Sequence, residues 1–415
     1  MKKTLLTLLS AFCMMLTVNA QMFTKSTIDG TTGANPYVLD SDFLNGDAYA
    51  DIVIGTDGGN TVELYLNNGD GTFPLSGTVL TATAPNNNLV WVEGIHIADL
   101  NEDGDNDILA TGYGNDRVVW FEGNGDGTFQ DAVALLDNID GAGTVITGNL
   151  HEDLNAPVDN NLDLVVVANG PDGDTDSVIF LLGNGDGTFG SIQYIVPQTA
   201  GAGPGDVDLA DFDGDGDLDA VVAFTGNGNV YLYDNNFIPS GTVSFTQYTN
   251  PVSTGNGFLF DISLADLNDD SNLDIIKVDN LPGGSPGVVW YTNDSSGTGT
   301  TFTAHPVTTS MSRPGTATVM DLDDDTYNDL IVTNGVISDD DVIWFNSNNS
   351  GGLGSEISID NTQQAVYDIT INDFDNDGDM DFATVSYFQN DLNLFLNDLY
   401  TLSDNDEVLA LNSIS

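Results

Sequence analysis

The segment Asp211-Phe-Asp213-Gly-Asp215-Gly-Asp217-Leu-Asp219 sets five aspartates at alternate positions, directly ahead of the apolar run 220–224. Carboxylates this close repel one another and resist burial, which excludes a packed strand. A loop wrapped around a hard cation resolves the conflict, because Ca²⁺ takes six to eight oxygen ligands at about 2.3–2.6 Å. The side chains of Asp211, Asp213, Asp215 and Asp219 would converge, with the carbonyl of Asp217 as a fifth ligand. Gly216 supplies the permissive backbone that a tight loop needs.

The pattern is written seven times. Intact copies are Asp99, Asn101, Asp103, Asp105 and Asp107 around Gly104, and Asp373, Asp375, Asp377, Asp379 and Asp381 around Gly378. Two copies keep the ligand positions and lose the glycine: Asp266, Asn268, Asp270, Asn272 and Asp274, then Asp321, Asp323, Asp325, Tyr327 and Asp329. Two carry insertions, with Asp42, Asn45, Asp47 and Asp51 in one and Asp153, Asn155, Asp159 and Asp163 in the other. Successive copies start 57, 54, 58, 55, 55 and 52 residues apart, a period that means a repeat architecture. The copies at Asp99, Asp211 and Asp373 are expected to bind most tightly, and the copy at Asp153 most weakly. An EF-hand is excluded, since its carboxylate at the twelfth position is replaced by Ala110, Val222 or Thr384. The tandem nonapeptide of calcium-binding β-helices is absent too.

Each loop sits between two short apolar runs that must position it. A lead-in such as 94–98 alternates apolar and polar residues, and a β-branched run such as 164–167 leaves the loop. A third run follows a Gly/Asn/Asp turn, as in 118–121 and 342–345, and the glycine hairpin Asn68-Gly-Asp-Gly-Thr-Phe73 leads to a fourth. Period-two runs bounded by such turns read as strands. No run of helical length has a 3.6-residue period. Four strands per unit of about 55 residues, without helices, describe a propeller blade.

The calcium loop between two strands and the NGDGTF hairpin after the third, seen again at 124–129 and 184–189, resemble the FG-GAP/VCBS repeat family. That family includes the seven-bladed propeller of the integrin α-subunit head. The resemblance covers about residues 23–399 and weakens in repeats five to seven, where the hairpin has decayed. It implies an all-β, seven-bladed β-propeller of four-stranded blades, with calcium loops between first and second strands. The seventh repeat stops at its third strand, and the run 23–28 is a strand with no first three. Together they would make one blade and close the ring over residues 21–400, burying edges otherwise open.

Residues 1–20 read as a signal peptide, with Lys2 and Lys3, an apolar stretch from Leu5 to Val18, and a small-residue cleavage site ending at Ala20. Their removal also removes Cys13, so disulfides cannot hold the mature chain. No other apolar run is long enough to span a bilayer. Residues 401–415 fit no blade and resemble the lead-in to the carboxy-terminal sorting domain of bacterial type IX secretion, a domain this sequence does not contain. These features imply a secreted or cell-surface protein.

The net charge of −58 becomes −60 without Lys2 and Lys3, leaving Lys25, Arg117, Lys277 and Arg313 as the fixed cations. Nucleic acid and anionic membranes are poor partners for such a surface. Asp outnumbers Glu 57 to 7, as ligand loops and turns require and simple solvation does not. Trp120, Trp290 and Trp344 share one register position with Leu64, Phe180, Leu232 and Leu394, which makes them core between blades rather than a sugar platform. Trp91 stands outside that register, on the side away from the calcium loops, and is the better candidate for ligand contact. His96, His151 and His305 are scattered, and no GxSxG, HExxH or P-loop pattern occurs. The reading is therefore a calcium-binding, non-enzymatic and monomeric propeller that acts in adhesion toward an extracellular protein or polysaccharide. Two alternatives remain: a calcium-containing propeller lyase or hydrolase, and a structural spacer of a larger surface protein.

Overall fold

The β-branched runs and Gly/Asn turns become strands and hairpins in a computed structural model. It describes residues 23–397 apart from 75, 81–87, 152–160, 171–175, 199–202, 256–258, 281–286, 295–300, 308, 337–340 and 348–351. The leader, the 401–415 tail, and Asp153, Asn155 and Asp159 of the third loop lie outside the described residues.

The described strands form seven antiparallel sheets of four. Each blade runs in chain order from an inner strand outward. The inner strands are Pro36–Asp42, Gly94–Ala98, Ala142–Gly148, Pro204–Ala210, Leu259–Ala265, Pro314–Met320 and Val366–Asn372. Each touches the next, and the seventh meets the first, so they close a ring around an axis. Second strands are the most buried, with every residue of Asp51–Thr56 or Asp219–Phe224 inside, while fourth strands such as Phe302–Val307 are largely exposed.

The core consists of seven clusters, each shared by two neighbouring blades. A blade alone would leave both apolar faces in water, so stability comes from the stack. Trp120, Trp290 and Trp344 pair with Leu109, Ile276 and Ile331 at one register position and are at most 9 % exposed, as expected of blade-to-blade core. Departures from pure β structure are small. A 3-10 turn forms at Tyr113–Asn115, and a distorted helical turn, Phe237–Ser240, stands where blade four has no glycine hairpin.

The ring closes through the amino end. Phe23–Asp29 pairs antiparallel with Asp391–Asn397, from Phe23 opposite Asn397 to Asp29 opposite Leu392, and is the outer strand of blade seven. Phe23 is buried with its ring 5.2 Å from that of Phe382, which stacks on Phe395 at 4.5 Å. Lys25 Nζ donates to Asp360 Oδ2 at 2.8 Å and to Thr362 Oγ1 at 2.7 Å, tying the strand to blade six. Burial pushes the Asp360 carboxyl up, but hydrogen bonds from Lys25 and Thr362 outweigh it and hold the group below its ordinary range.

We expect a chain lacking residues 21–29 to lose far more thermal stability than one ending at residue 400. Phe23→Ala alone should cost about 3–5 kcal/mol, the usual loss for a buried Phe. Equal melting curves for the two truncations would show that closure does not depend on this strand.

Candidate functional site

One buried carboxylate organises every loop. The last aspartate of each copy, Asp51, Asp107, Asp163, Asp219, Asp274, Asp329 or Asp381, is at most 1 % exposed. One of its oxygens accepts from an amide at the loop entrance: Leu44 at 3.0 Å, Leu100 at 3.1 Å, Leu150 at 2.8 Å, Phe212 at 3.0 Å, Leu267 at 3.3 Å, Leu322 at 3.2 Å and Phe374 at 2.8 Å. The other accepts from an amide where the third strand ends, those of Asn67, Gly123, Gly183, Asn235, Asn293, Ser347 and Asn397, at 2.7–2.9 Å. These two bonds fasten the loop to the far side of its own blade. Burial raises the carboxyls of Asp51, Asp107, Asp274 and Asp329 to about 6, against the pull of those amides.

The first aspartate shapes the loop. Asp99 accepts from the amides of Asp103 at 3.1 Å and Gly104 at 2.9 Å, and Asp373 from those of Asp377 and Gly378, both at 3.1 Å. The glycine position lies in the left-handed region, with φ of 93°, 104° and 102° at Gly104, Gly216 and Gly378. Blades five and six put Ser271 and Thr326 there at φ 70° and 77°. A β-branched residue in that region stores about 1–3 kcal/mol of strain.

Among the described residues, three sets of carboxylates converge with ligand atoms within 4.8 Å: Asp211, Asp213 and Asp219; Asp321, Asp323 and Asp325; Asp373, Asp375 and Asp381. Buried oxygens without a hydrogen-bond partner lie in the same loops, namely Oδ1 of Asp217, Asp323 and Asp375, and Oδ2 of Asp377. Such groups are costly unless a cation or a proton meets them, so the donor set fits a hard cation. In these loops burial, reinforced by neighbouring carboxylates, raises Asp217 to about 7 and both Asp219 and Asp381 to about 8.

The other loops are not among these sets, although internal hydrogen bonds of the same kind occur in both groups. Asn101 donates its amide to Asp103 at 2.9 Å, Asp47 caps the amide of Tyr49 at 2.9 Å, and Asp266 accepts from Ser271 at 2.7 Å. Of the described part of the third loop, Asp163 lies 2.9 Å from His151 Nδ1. Neighbouring loops are also joined: the side-chain amides of Asn67, Asn235 and Asn397 donate to carbonyls of the preceding blade's loop at 2.7–2.9 Å.

Sequence reasoning missed an acidic girdle around the axis. Each of its carboxylates accepts from a backbone amide of the next blade: Asp40 from Ile97 at 3.0 Å, Asp206 from Ile262 at 3.0 Å, Asp261 from Ala317 at 3.1 Å, and Asp368 from Leu39 at 3.0 Å. Asp206, Asp261 and Asp368 border a channel of about 270 Å³ that touches all seven blades. The channel admits water, so the side chains keep partial exposure, yet protein surrounds them. Burial raises Asp206 to about 6 and Asp40, Asp208 and Asp368 to about 7, and lowers His96 to about 4. His96, 2.9 Å from Thr147 Oγ1, is therefore neutral near pH 7. His305 lies elsewhere, against Trp290 at 4.7 Å, beside a groove of about 790 Å³ between blades five and six.

The channel opens on the face away from the aspartate loops, among aromatic side chains. Tyr37, Phe260, Tyr367, Tyr387 and Phe388 line a mouth of about 470 Å³, with Tyr367 5.3 Å from both Tyr37 and Tyr387. Phe388 is 49 % exposed. Trp91, also 49 % exposed, belongs to this face. Its backbone is left-handed, φ 55°, and is held by the Asn60 side chain on its amide at 2.8 Å and the Tyr113 amide on its carbonyl at 2.9 Å. A Cβ on Gly114 would come within 2.8 Å of the indole, so only glycine leaves the ring its seat.

An FG-GAP-like repeat model matches the chain at residues 44–110, 153–222 and 211–276. No curated protein sequence matches it. Among solved structures, it is similar to an Agrocybe aegerita lectin described as recognising non-reducing terminal N-acetylglucosamine, at 21 % identity over 80 % of this chain and 81 % of that one, with a TM-score of 0.55. It also resembles BBS1N from a complex with ARL6DN, at 11 % identity over 91 % and 97 %, TM-score 0.58. A Lactobacillus plantarum protein is similar at 18 % identity over 78 % and 85 %, TM-score 0.52. At these identities the likeness is one of fold.

The girdle, together with Asp208 on the same inner strand as Asp206, which accepts from the amide of Leu209, sets a pH dependence. Asp206, Asp208 and Asp368 titrate above their ordinary 3.8, so between about pH 4 and pH 7 the folded chain holds protons that the unfolded chain has released. Their contribution is complete below pH 4 and lost as pH rises through 6–7. With divalent cations chelated, the melting temperature should fall from pH 5 to pH 8, and Asp208→Asn should flatten the fall. A midpoint that climbs over that range would contradict the assignment.

Proposed function

Starting from what its repeats and blades make the chain, an FG-GAP repeat propeller, we propose that it is a secreted, calcium-loaded binding module for an extracellular protein or polysaccharide. The ligand meets the aromatic face, and the calcium loops on the opposite face hold the blades in register. The observation that carries this reading is Trp91: a large apolar ring kept half in water by a backbone in a region that bulky residues avoid. Backbone strain of this kind persists only where the surroundings enforce it, and it gathers at binding sites. The loops at Asp211, Asp321 and Asp373 would hold the ions, which supply positive charge to carboxylates that no Lys or Arg neutralises. Among the described residues no helix is long and apolar enough to cross a membrane.

A second reading is a carbohydrate lyase or hydrolase, favoured by Glu93 at the channel mouth. Burial, with Asp57 adding to it, raises this carboxyl to about 7, the range suited to a general acid or base. New unsaturated or reducing ends from a panel of polysaccharides, lost in Glu93→Gln, would select it.

Two measurements test the main reading. On a glycan and matrix-protein array run with calcium, Trp91→Ala should lose at least tenfold in binding while keeping the wild-type melting temperature; unchanged binding would move the site off this face. Chelation should lower the melting temperature more than an equal ionic strength of sodium chloride does. A site at 100 times its dissociation constant adds roughly 2.7 kcal/mol, and extracellular sites sit near 10⁻⁴–10⁻³ M.

A further inference from the structure

The third strand contributes a residue to each loop, one place before the amide that caps the buried last aspartate. Since those amides belong to Asn67, Gly123, Gly183, Asn235, Asn293, Ser347 and Asn397, the equivalent residues are Leu66, Glu122, Leu182, Asp234, Thr292, Asn346 and Leu396. Two of them show where this position reaches. In blade six the Asn346 amide donates to Asp323, the third residue of its loop. In blade four the carboxyl of Asp234 lies within hydrogen-bonding reach of Asp213, again the third residue.

An amide facing a carboxylate is an ordinary hydrogen bond. A carboxylate facing a carboxylate is not, and here no lysine or arginine stands by to relieve it: neither group has a cation among the charges that shift it. Asp211, Asp213 and Asp219 already converge beside them. Asp217 is 1 % exposed and its Oδ1 has no partner, although the Ile238 amide satisfies its other oxygen at 2.7 Å. Burial raises this carboxyl, and the neighbouring charges of Asp215, Asp213 and Asp234 raise it further. A buried oxygen left bare beside converging carboxylates calls for a cation.

We propose that Asp234, a strand residue outside the repeat motif, is a further ligand of the cation held by the loop 211–219, and that it makes this the tightest site in the ring. The inference rests on the calcium reading of the loops. It adds a charged oxygen where blade six offers an amide, blade five a threonine and blades one, three and seven a leucine; blade two carries a carboxylate there as well, Glu122, but its loop is not among the three converging sets. Added ligand charge tightens Ca²⁺ binding.

The test is a calorimetric calcium titration of the full chain, stripped of metal, for wild type, Asp234→Asn and Asp234→Leu. Leucine is the residue three other blades carry there, so the fold tolerates its volume. Both variants should weaken the tightest class of site at least tenfold, and both should melt higher than wild type in chelator because a repulsion is gone. The reciprocal change, Asn346→Asp, should tighten the loop at Asp321. Variants that melt higher yet bind calcium as wild type does would overturn the inference and leave the loop reading intact. A wild-type chain that takes up no calcium would overturn both.

Discussion

Seven buried aspartates are the constraint on which this propeller depends. Each closes a loop whose entrance and exit would otherwise be unconnected, by accepting one amide from the loop and one from the third strand. A carboxylate at the foot of an apolar strand is expensive to bury. Two charge-assisted bonds per group offset much of that cost and fix the geometry in which the remaining carboxylates face one another. The same residue therefore serves the fold in every blade and, on the calcium reading proposed above, would also serve a cation in those blades whose other carboxylates turn inward. Asp219 and Asp381 belong to converging sets; Asp329 caps its loop while Asp321, Asp323 and Asp325 converge beside it.

The axis repeats this logic with different partners. Inner strands of neighbouring blades lie too far around the ring to share a ladder, and each is the open edge of its sheet. Their amides still need acceptors. Asp40, Asp206, Asp261 and Asp368 provide them from the adjacent blade, so the girdle joins blades where no strand pairing can. The acidity of the chain is thus partly structural, spent on backbone amides at the axis and at the loop feet. A protein with this many carboxylates so used has little need of salt bridges, and its few cations are placed where they act as clamps. Lys25 fastens the closing strand, and Lys277, 2 % exposed, reaches the Gly228 carbonyl of the neighbouring blade at 2.9 Å and Asp279 at 3.0 Å.

How much of this was legible depends on the range of the interaction. Strand order and blade number follow from period-two runs and a repeat of about 55 residues, both local signals. The tryptophan register was legible because Trp120, Trp290 and Trp344 exchange with Leu and Phe at a fixed distance from each loop. Strand counting leaves the amino end one strand over and the carboxyl end one short, and the pairing of Phe23–Asp29 with Asp391–Asn397 meets that count. The girdle was not legible, because Asp206 or Asp368 alone looks like any polar residue on an alternating strand. Only the ring brings its acceptor oxygen to an amide some 56 or 329 positions away. Asp234 was hidden for a similar reason, lying outside the motif that drew attention. The aromatic mouth assembles Tyr37, Phe260, Tyr367 and Tyr387 from three blades, and no window of sequence contains it.

These arrangements divide the molecule by function. On one face the backbone is fixed by carboxylates, amides and glycines, and a change in any loop is felt through its own third strand and, by way of Asn67, Asn235 or Asn397, in the blade before. On the other face the inner strands begin, and the side chains there are under no such duty to the loops. That freedom suits the proposed binding role, since binding residues belong on a scaffold that other contacts keep rigid. Trp91 shows the principle on one residue. Asn60 and Tyr113 hold its backbone and Gly114 seats its ring, so the indole stays presented to solvent without any contribution from the aspartate loops. Stiffness at one end of the blades and display at the other are then two uses of the same strands, and the axial girdle, which binds blade to blade between them, is what keeps the displayed face in shape.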